Sequence, residues 1–157
     1  LLRGAPLLPG TGWHRAARRS AFVPDGLVEF KNLNPNLNGD YLTIMVVPEL
    51  KTALNNFIQS EKRNGKTIVA THGYRSYDQQ LTLCEDCQQK KSVDPNFPCL
   101  ADTASHSQHR TGFAGDMFII KDGKLETMTS LVEKALEFGL SHPFGNGDPP
   151  HFFYKGL

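Results

Sequence analysis

The sequence predicts an α+β fold, a small antiparallel sheet flanked by helices, and three observations lead to it. Leu50, Ala53, Leu54, Phe57 and Ile58 recur at helical spacing behind Pro48. Short apolar, β-prone runs such as "YLTIMVV", "KTIVATHGYR" and "GFAGDMFII" alternate with such segments. "KDGK" at 121–124 is a hairpin-type turn, so several of these strands must pair antiparallel.

At 157 residues the chain suits one domain with a real core. The 39% hydrophobic and 21% charged fractions are those of an ordinary globular protein, which excludes a disordered chain. A formal net charge of +1 supplies no overall field toward nucleic acid or anionic lipid, so neither is expected as a partner, and a monomer is expected. No apolar run is long enough to span a membrane, and no signal-peptide pattern is visible. "LLRGAPLLPGTGWHRAARRS" has neither helical nor strand period. Residues 1–25 therefore read as a linker or leader, with Arg15, Arg18 and Arg19 in a solvated tail, and residues 26–157 as the single domain.

Element by element, "LNPNLNGD" (33–40) is turn chemistry and the strand in "YLTIMVV" follows it. Pro48 sits where the first turn of a helix tolerates proline, and Asn64-Gly65 closes that helix. A buried strand spans Ile68 to Thr71 and ends at Gly73. Ser76 and Gln79 have capping-box spacing, which predicts a helix from Tyr77 to about Gln89 and a long loop over 90–105. In the strand "GFAGDMFII", Ala114, Asp116, Phe118 and Ile120 share one face and Phe113, Met117 and Ile119 the other. Ser130 and Glu133 repeat the capping-box spacing and predict a helix through Leu131, Ala135, Leu136 and Phe138 that stops at Gly139. "HPFGNGDPP" is a tight loop, and "HFFY" a final strand.

The three cysteines, Cys84, Cys87 and Cys99, cannot all pair with one another. A disulfide from Cys99 to one of the CxxC pair, three thiols, or a second zinc site completed by His106 all remain open.

His109, Asp116 and His151 are the residues with most chemistry to offer. Zinc accepts imidazole nitrogen and carboxylate oxygen at about 2 Å, and a catalytic site uses three protein ligands with a fourth position open. Gly112 lets the backbone turn between His109 and Asp116, and two prolines precede His151. By residue type alone, histidines beside glycine and proline read more readily as ordinary loop residues than as metal ligands.

The ordered strings separate the two readings. "SQHRTGFAGD", with Ser107, His109, Gly112, Ala114 and Asp116, resembles the SxHxxGxAxD signature of the M15 peptidase family. "GYRSYDQQ" resembles its upstream element through Tyr74, Arg75, Ser76 and Gln80, and "DPPHFFY" its terminal acid-x-x-His element through Asp148 and His151. The family holds zinc-dependent D-alanyl-D-alanine carboxypeptidases and the L-alanyl-D-glutamate endopeptidases of phage lysins and wall hydrolases.

The resemblance implies a hedgehog/D,D-peptidase-like zinc fold and one catalytic Zn2+ held by His109, Asp116 and His151. It further implies Asp148 as catalytic acid-base and Arg75 as partner of either the oxyanion or a substrate carboxylate. Ser107, Gln80 and Tyr74 fall to substrate binding or support of the ligands. His72, His106 and His142 match no ligand position and read as loop histidines. The implied partner is the peptidoglycan stem peptide, in the cell envelope, outside the cytoplasm or in a phage-derived lysin. "DPPHF" is closer to the endopeptidase subgroup, because carboxypeptidase members show Glu before Trp-His where this chain has Asp148 and Pro150. Two other readings are a D-Ala-D-Ala carboxypeptidase and a hedgehog-like, non-catalytic zinc-binding module.

Overall fold

The computed structural model describes residues 24–33, 42–99 and 106–157. Most of the expected leader, residues 1–23, and the turn segment 34–41 lie outside these residues.

Helix α1 (Pro48–Arg63) carries Pro48 in its first turn and buries Leu50, Ala53, Leu54 and Phe57, the stripe that the spacing predicts. Helix α2 (Tyr77–Val93) opens on a complete capping box: the Ser76 hydroxyl accepts from the Gln79 amide, and the Gln79 side chain accepts from the Ser76 amide. It runs four residues past Gln89, so Lys90–Val93 are helical where a loop is expected, and Lys90 and Lys91 suit the negative end of its dipole.

Helix α3 is a correction. It spans only Val132–Leu136, follows a 3-10 turn at Thr129–Leu131 and has Leu131 at its cap, so Ser130 lies inside the turn and makes no side-chain cap. Its end agrees with expectation: Gly139 has φ 82° and turns the chain.

Strands β1 (Val28–Lys31) and β2 (Thr43–Val46) form a two-stranded antiparallel sheet. The main sheet joins β3 (Thr67–His72), β4 (Ala114–Lys121), β5 (Lys124–Glu126), β6 (Leu140–Ser141) and β7 (His151–Tyr154), all antiparallel, in the order β3-β4-β7-β6. β5 and β7 divide one edge of β4, with β7 pairing Ala114–Asp116 and β5 pairing Ile119–Lys121. The β4–β5 turn places Asp122 (φ 51°) and Gly123 (φ 73°) in the left-handed region, as a tight hairpin requires.

The Asn32 side chain joins the two sheets. It donates to Ala70 O at 2.7 Å and accepts from Ala70 N at 2.9 Å, doing for β3 what a neighbouring backbone would do. Phe30, Ile44, Val46, Phe57, Met117, Met128, Leu140 and Phe152 fill the space between α1, the sheets and α3. Each such side chain contributes roughly 1.5–3 kcal/mol on burial.

This packing fixes one end of the main sheet. A bulge between Ala70 and His72 sets His72 opposite Asp116, and Asp116 in turn pairs with His151. Three strands thus bring three polar side chains into adjacent register, and bulges commonly re-aim side chains in this way.

Candidate metal centre

His109 stands on a 3-10 turn, Gln108–Thr111, that leads into β4. Gly112 ends that turn at φ 77°, a left-handed conformation that favours glycine, and a Cβ there would crowd Leu27 Cδ2 at 2.9 Å and Val47 Cγ1 at 3.0 Å. His109, Asp116 and His151 are all buried, and their ligand atoms lie within 4.8 Å of one another. Among the described residues this is the one group of His, Cys, Asp and Glu able to hold a metal ion.

The hydrogen bonds say which ring nitrogens face inward. His109 Nδ1 lies 2.8 Å from Gly73 O, so it donates there and leaves Nε2 with a lone pair. His151 Nε2 lies 2.7 Å from Gln108 Oε1, so it donates there and leaves Nδ1 with a lone pair. Those two inward nitrogens are 3.1 Å apart. Asp116 Oδ1 lies 3.3 Å from His109 Nε2 and has no hydrogen bond of its own although it is buried. Three electron pairs converging in a buried space repel unless a cation sits among them, and two nitrogens with one carboxylate oxygen suit zinc. The residues fit the metal.

Asp116 is held from outside as well. Its Oδ2 is 3.1 Å from Arg75 Nη2 and 3.3 Å from His72 Nδ1. Burial would raise its pKa, but contacts with His109, His151 and His72 outweigh burial and keep the carboxyl far below the usual carboxylate range. It is anionic at physiological pH, the form in which a carboxylate can hold a metal.

Asp148 ends the Gly145–Gly147 turn, three residues before His151, with Oδ2 3.9 Å from His151 Nδ1. Burial and the nearby Asp116 charge raise its pKa, partly countered by His151, His109 and Arg75. It is only partly buried and faces a cleft of about 680 Å³, lined also by Arg75, Leu83, Ser107, Gln108 and Phe144.

The other expected site residues are spread around this centre. Arg75 Nη1 is 3.4 Å from Gln80 Oε1, and Gln80 is buried, so the helix behind the cleft supports the guanidinium. Ser107 is buried in the cleft wall. Tyr74 donates its backbone N–H to Met45 O at 2.7 Å, and its side chain meets the buried Arg110 beside the site.

The sequence reading passed over three contributors. His72, expected as a loop histidine, ends β3 and contacts the outer oxygen of Asp116. His142, also read as a loop histidine, donates to Pro149 O at 2.8 Å and stacks on Phe152, fixing the loop that carries Asp148. Gln108 was not singled out at all. Of the cysteine alternatives, the structure has a Cys87–Cys99 disulfide tying the loop after α2 back onto that helix, with Cys84 free.

The family described as VanY, D-alanyl-D-alanine carboxypeptidase, matches residues 43–154, which run from β2 to β7 and include all three helices and every residue of the centre. The chain belongs to that family. It is a zinc metallopeptidase of the M15 type acting on peptidoglycan, as the sequence motifs imply. No curated protein sequence matches it.

Solved structures share the fold of this VanY-family chain. A mutant VanY D,D-pentapeptidase from a VanB-type vancomycin resistance cassette, in complex with Zn(II), is similar with a TM-score of 0.62 and 16% identity, over 83% of this chain and 79% of that one. The LdcB LD-carboxypeptidase is similar with a TM-score of 0.61 and 20% identity, over 85% and 67%. The L,D-carboxypeptidase DacB of Streptococcus pneumoniae is similar with a TM-score of 0.54 and 21% identity, over 80% and 85%.

Proposed function

We propose that the enzyme hydrolyses the L-Ala–D-Glu bond of the peptidoglycan stem peptide, outside the cytoplasm, with one zinc ion held by His109 Nε2, Asp116 and His151 Nδ1. The convergence of these three inward-facing ligand atoms beside Asp148 carries the reading. When bound, zinc supplies Lewis-acid chemistry, polarising an amide carbonyl and making water acidic near neutral pH.

The protein's own groups do the rest. Asp148 stands next to the ligands without joining them, on the open side of the site, where its carboxylate takes a proton from attacking water and returns it to the leaving amine. Its raised pKa makes it a better proton acceptor than an ordinary aspartate. Arg75 offers a permanent positive charge at the cleft wall where negative charge develops on the carbonyl oxygen. His72 and Arg75 hold the outer oxygen of Asp116, leaving Oδ1 directed inward.

Two observations favour the internal bond. The terminal motif "DPPHF" resembles that of the endopeptidase subgroup. Arg75 is also the one Lys or Arg side chain among the described residues of the cleft, and with its charge committed to the carbonyl oxygen no second Lys or Arg lines it. A carboxypeptidase needs a cation to receive the terminal carboxylate. The second reading, removal of a terminal D-alanine, is favoured by the family match and by the carboxypeptidases among the similar structures. A purely structural zinc module would have no use for Asp148 at the cleft.

Digestion of purified peptidoglycan, with and without a chelator, tests this. The expected product is a new N-terminal D-glutamate that disappears with chelation and returns with zinc. Free D-alanine alone would replace the first reading by the second, and no release by the zinc-loaded protein would overturn both.

A further inference from the structure

We infer that Gln108 is a positioning residue for the metal centre, setting which nitrogen His151 presents to the ion. The inference rests on reading His109, Asp116 and His151 as the ligands.

The two histidines are oriented by different kinds of acceptor. His109 donates from Nδ1 to the main-chain oxygen of Gly73, an acceptor that no side-chain substitution removes. His151 donates from Nε2 to the side-chain oxygen of Gln108 at 2.7 Å. Gln108 and His109 are neighbours on one 3-10 turn, so that turn grips the His151 ring from both sides. His109 Nε2 lies 3.1 Å from the inner nitrogen, and Gln108 Oε1 accepts from the outer one.

Phe144 lies against the same ring, with centroids 5.0 Å apart, and offers no acceptor. Among the described residues, Gln108 therefore supplies the acceptor for His151 Nε2. Without it, a neutral His151 is free to carry its hydrogen on Nδ1, the nitrogen that must face the metal with a lone pair. A partner at the far nitrogen fixes tautomer and ring orientation, and its loss typically weakens metal binding by about 10–100-fold.

An amide is also a particular choice of acceptor. It orients the imidazole while adding no charge to a centre whose only ligand charge is that of Asp116. A carboxylate at the same place would keep the acceptor and make the imidazole a stronger donor to the metal.

The test is zinc affinity by competition with a chromophoric chelator at neutral pH, on the wild-type chain, Gln108→Leu, Gln108→Ala and Gln108→Glu. Leucine keeps the approximate volume and removes the acceptor, whereas glutamate keeps the acceptor. The expected result is zinc binding about 10–100-fold weaker in both Gln108→Leu and Gln108→Ala. Gln108→Glu should bind as tightly as wild type or tighter. Metal-free unfolding midpoints of the variants, followed alongside, should stay together, because Gln108 is only partly buried. Unchanged affinity in either apolar variant would overturn the inference, as would equal weakening in Gln108→Glu. A wild-type chain that binds no zinc would instead overturn the ligand assignment beneath it.

Discussion

Asp148 and Asp116 are carboxylates in one cleft whose surroundings push them in opposite directions. Asp116 is buried among His109, His151, His72 and Arg75, which hold it ionised. Asp148 is half open, sees the Asp116 charge, and binds a proton more readily than a free aspartate. Separation of this kind suits the proposed division of labour between Asp116 as ligand and Asp148 as proton carrier. Asp148→Asn should therefore leave zinc content unchanged and lower kcat by about 10²–10⁴-fold, because an amide cannot accept the proton. Metal analysis beside turnover checks this, and wild-type turnover would remove Asp148 from its assigned role. Metal-free stability should not fall, since the amide relieves repulsion with Asp116. That His109, Asp116, Asp148 and His151 meet at one place was legible because each sits in a short string of fixed spacing. His72 and Gln108 were not, since their roles arise only when a bulge in β3 and a turn before β4 meet strands far away in sequence.

At the scale of elements, the connector between β3 and α2 passes close beneath β2. A Cβ on Gly73 would meet Met45 O at 2.5 Å and Val46 Cγ1 at 3.0 Å, while Gly73 O is the acceptor for His109. Gly73→Ala should thus cost about 1–3 kcal/mol in denaturant unfolding, as overpacking does, and weaken zinc binding with it. A variant with wild-type values for both would show that the connector moves freely. The long elements could be read in advance: α1 from its apolar stripe, α2 from a cap that forms, and β4 from a run continuing across both faces. β1, β5 and β6 escaped because two to four residues carry too little periodicity, and β5 is exposed throughout. The Ser130–Glu133 spacing misled for a different reason. The chain enters α3 through a 3-10 turn, which moves the cap to Leu131.

Over the whole molecule, the proposed ligands come from positions 109, 116 and 151, so the centre draws together the middle of the domain and its last strand. β7 meets β4 through only three register pairs. The amide of Met117 donates to Pro150 O, and that of Tyr154 donates to Phe113 O, each at 2.8 Å across this short seam. An ion shared by Asp116 and His151 would act on the seam as a removable crosslink, stabilising the closed form by roughly 2.7 kcal/mol at a hundredfold excess over Kd. Hydrogen exchange at the Met117 and Tyr154 amides should then slow on adding zinc and quicken with a chelator, while amides within α1 change less. Equal response across the domain would mean that β7 opens only with everything else. Where the seam does open first, loss of the ion becomes a local event. The strand bearing His151 and the loop bearing Asp148 then come away together, so a starved enzyme sheds its ligand and its proton carrier in one motion and still keeps the folded remainder ready for refilling.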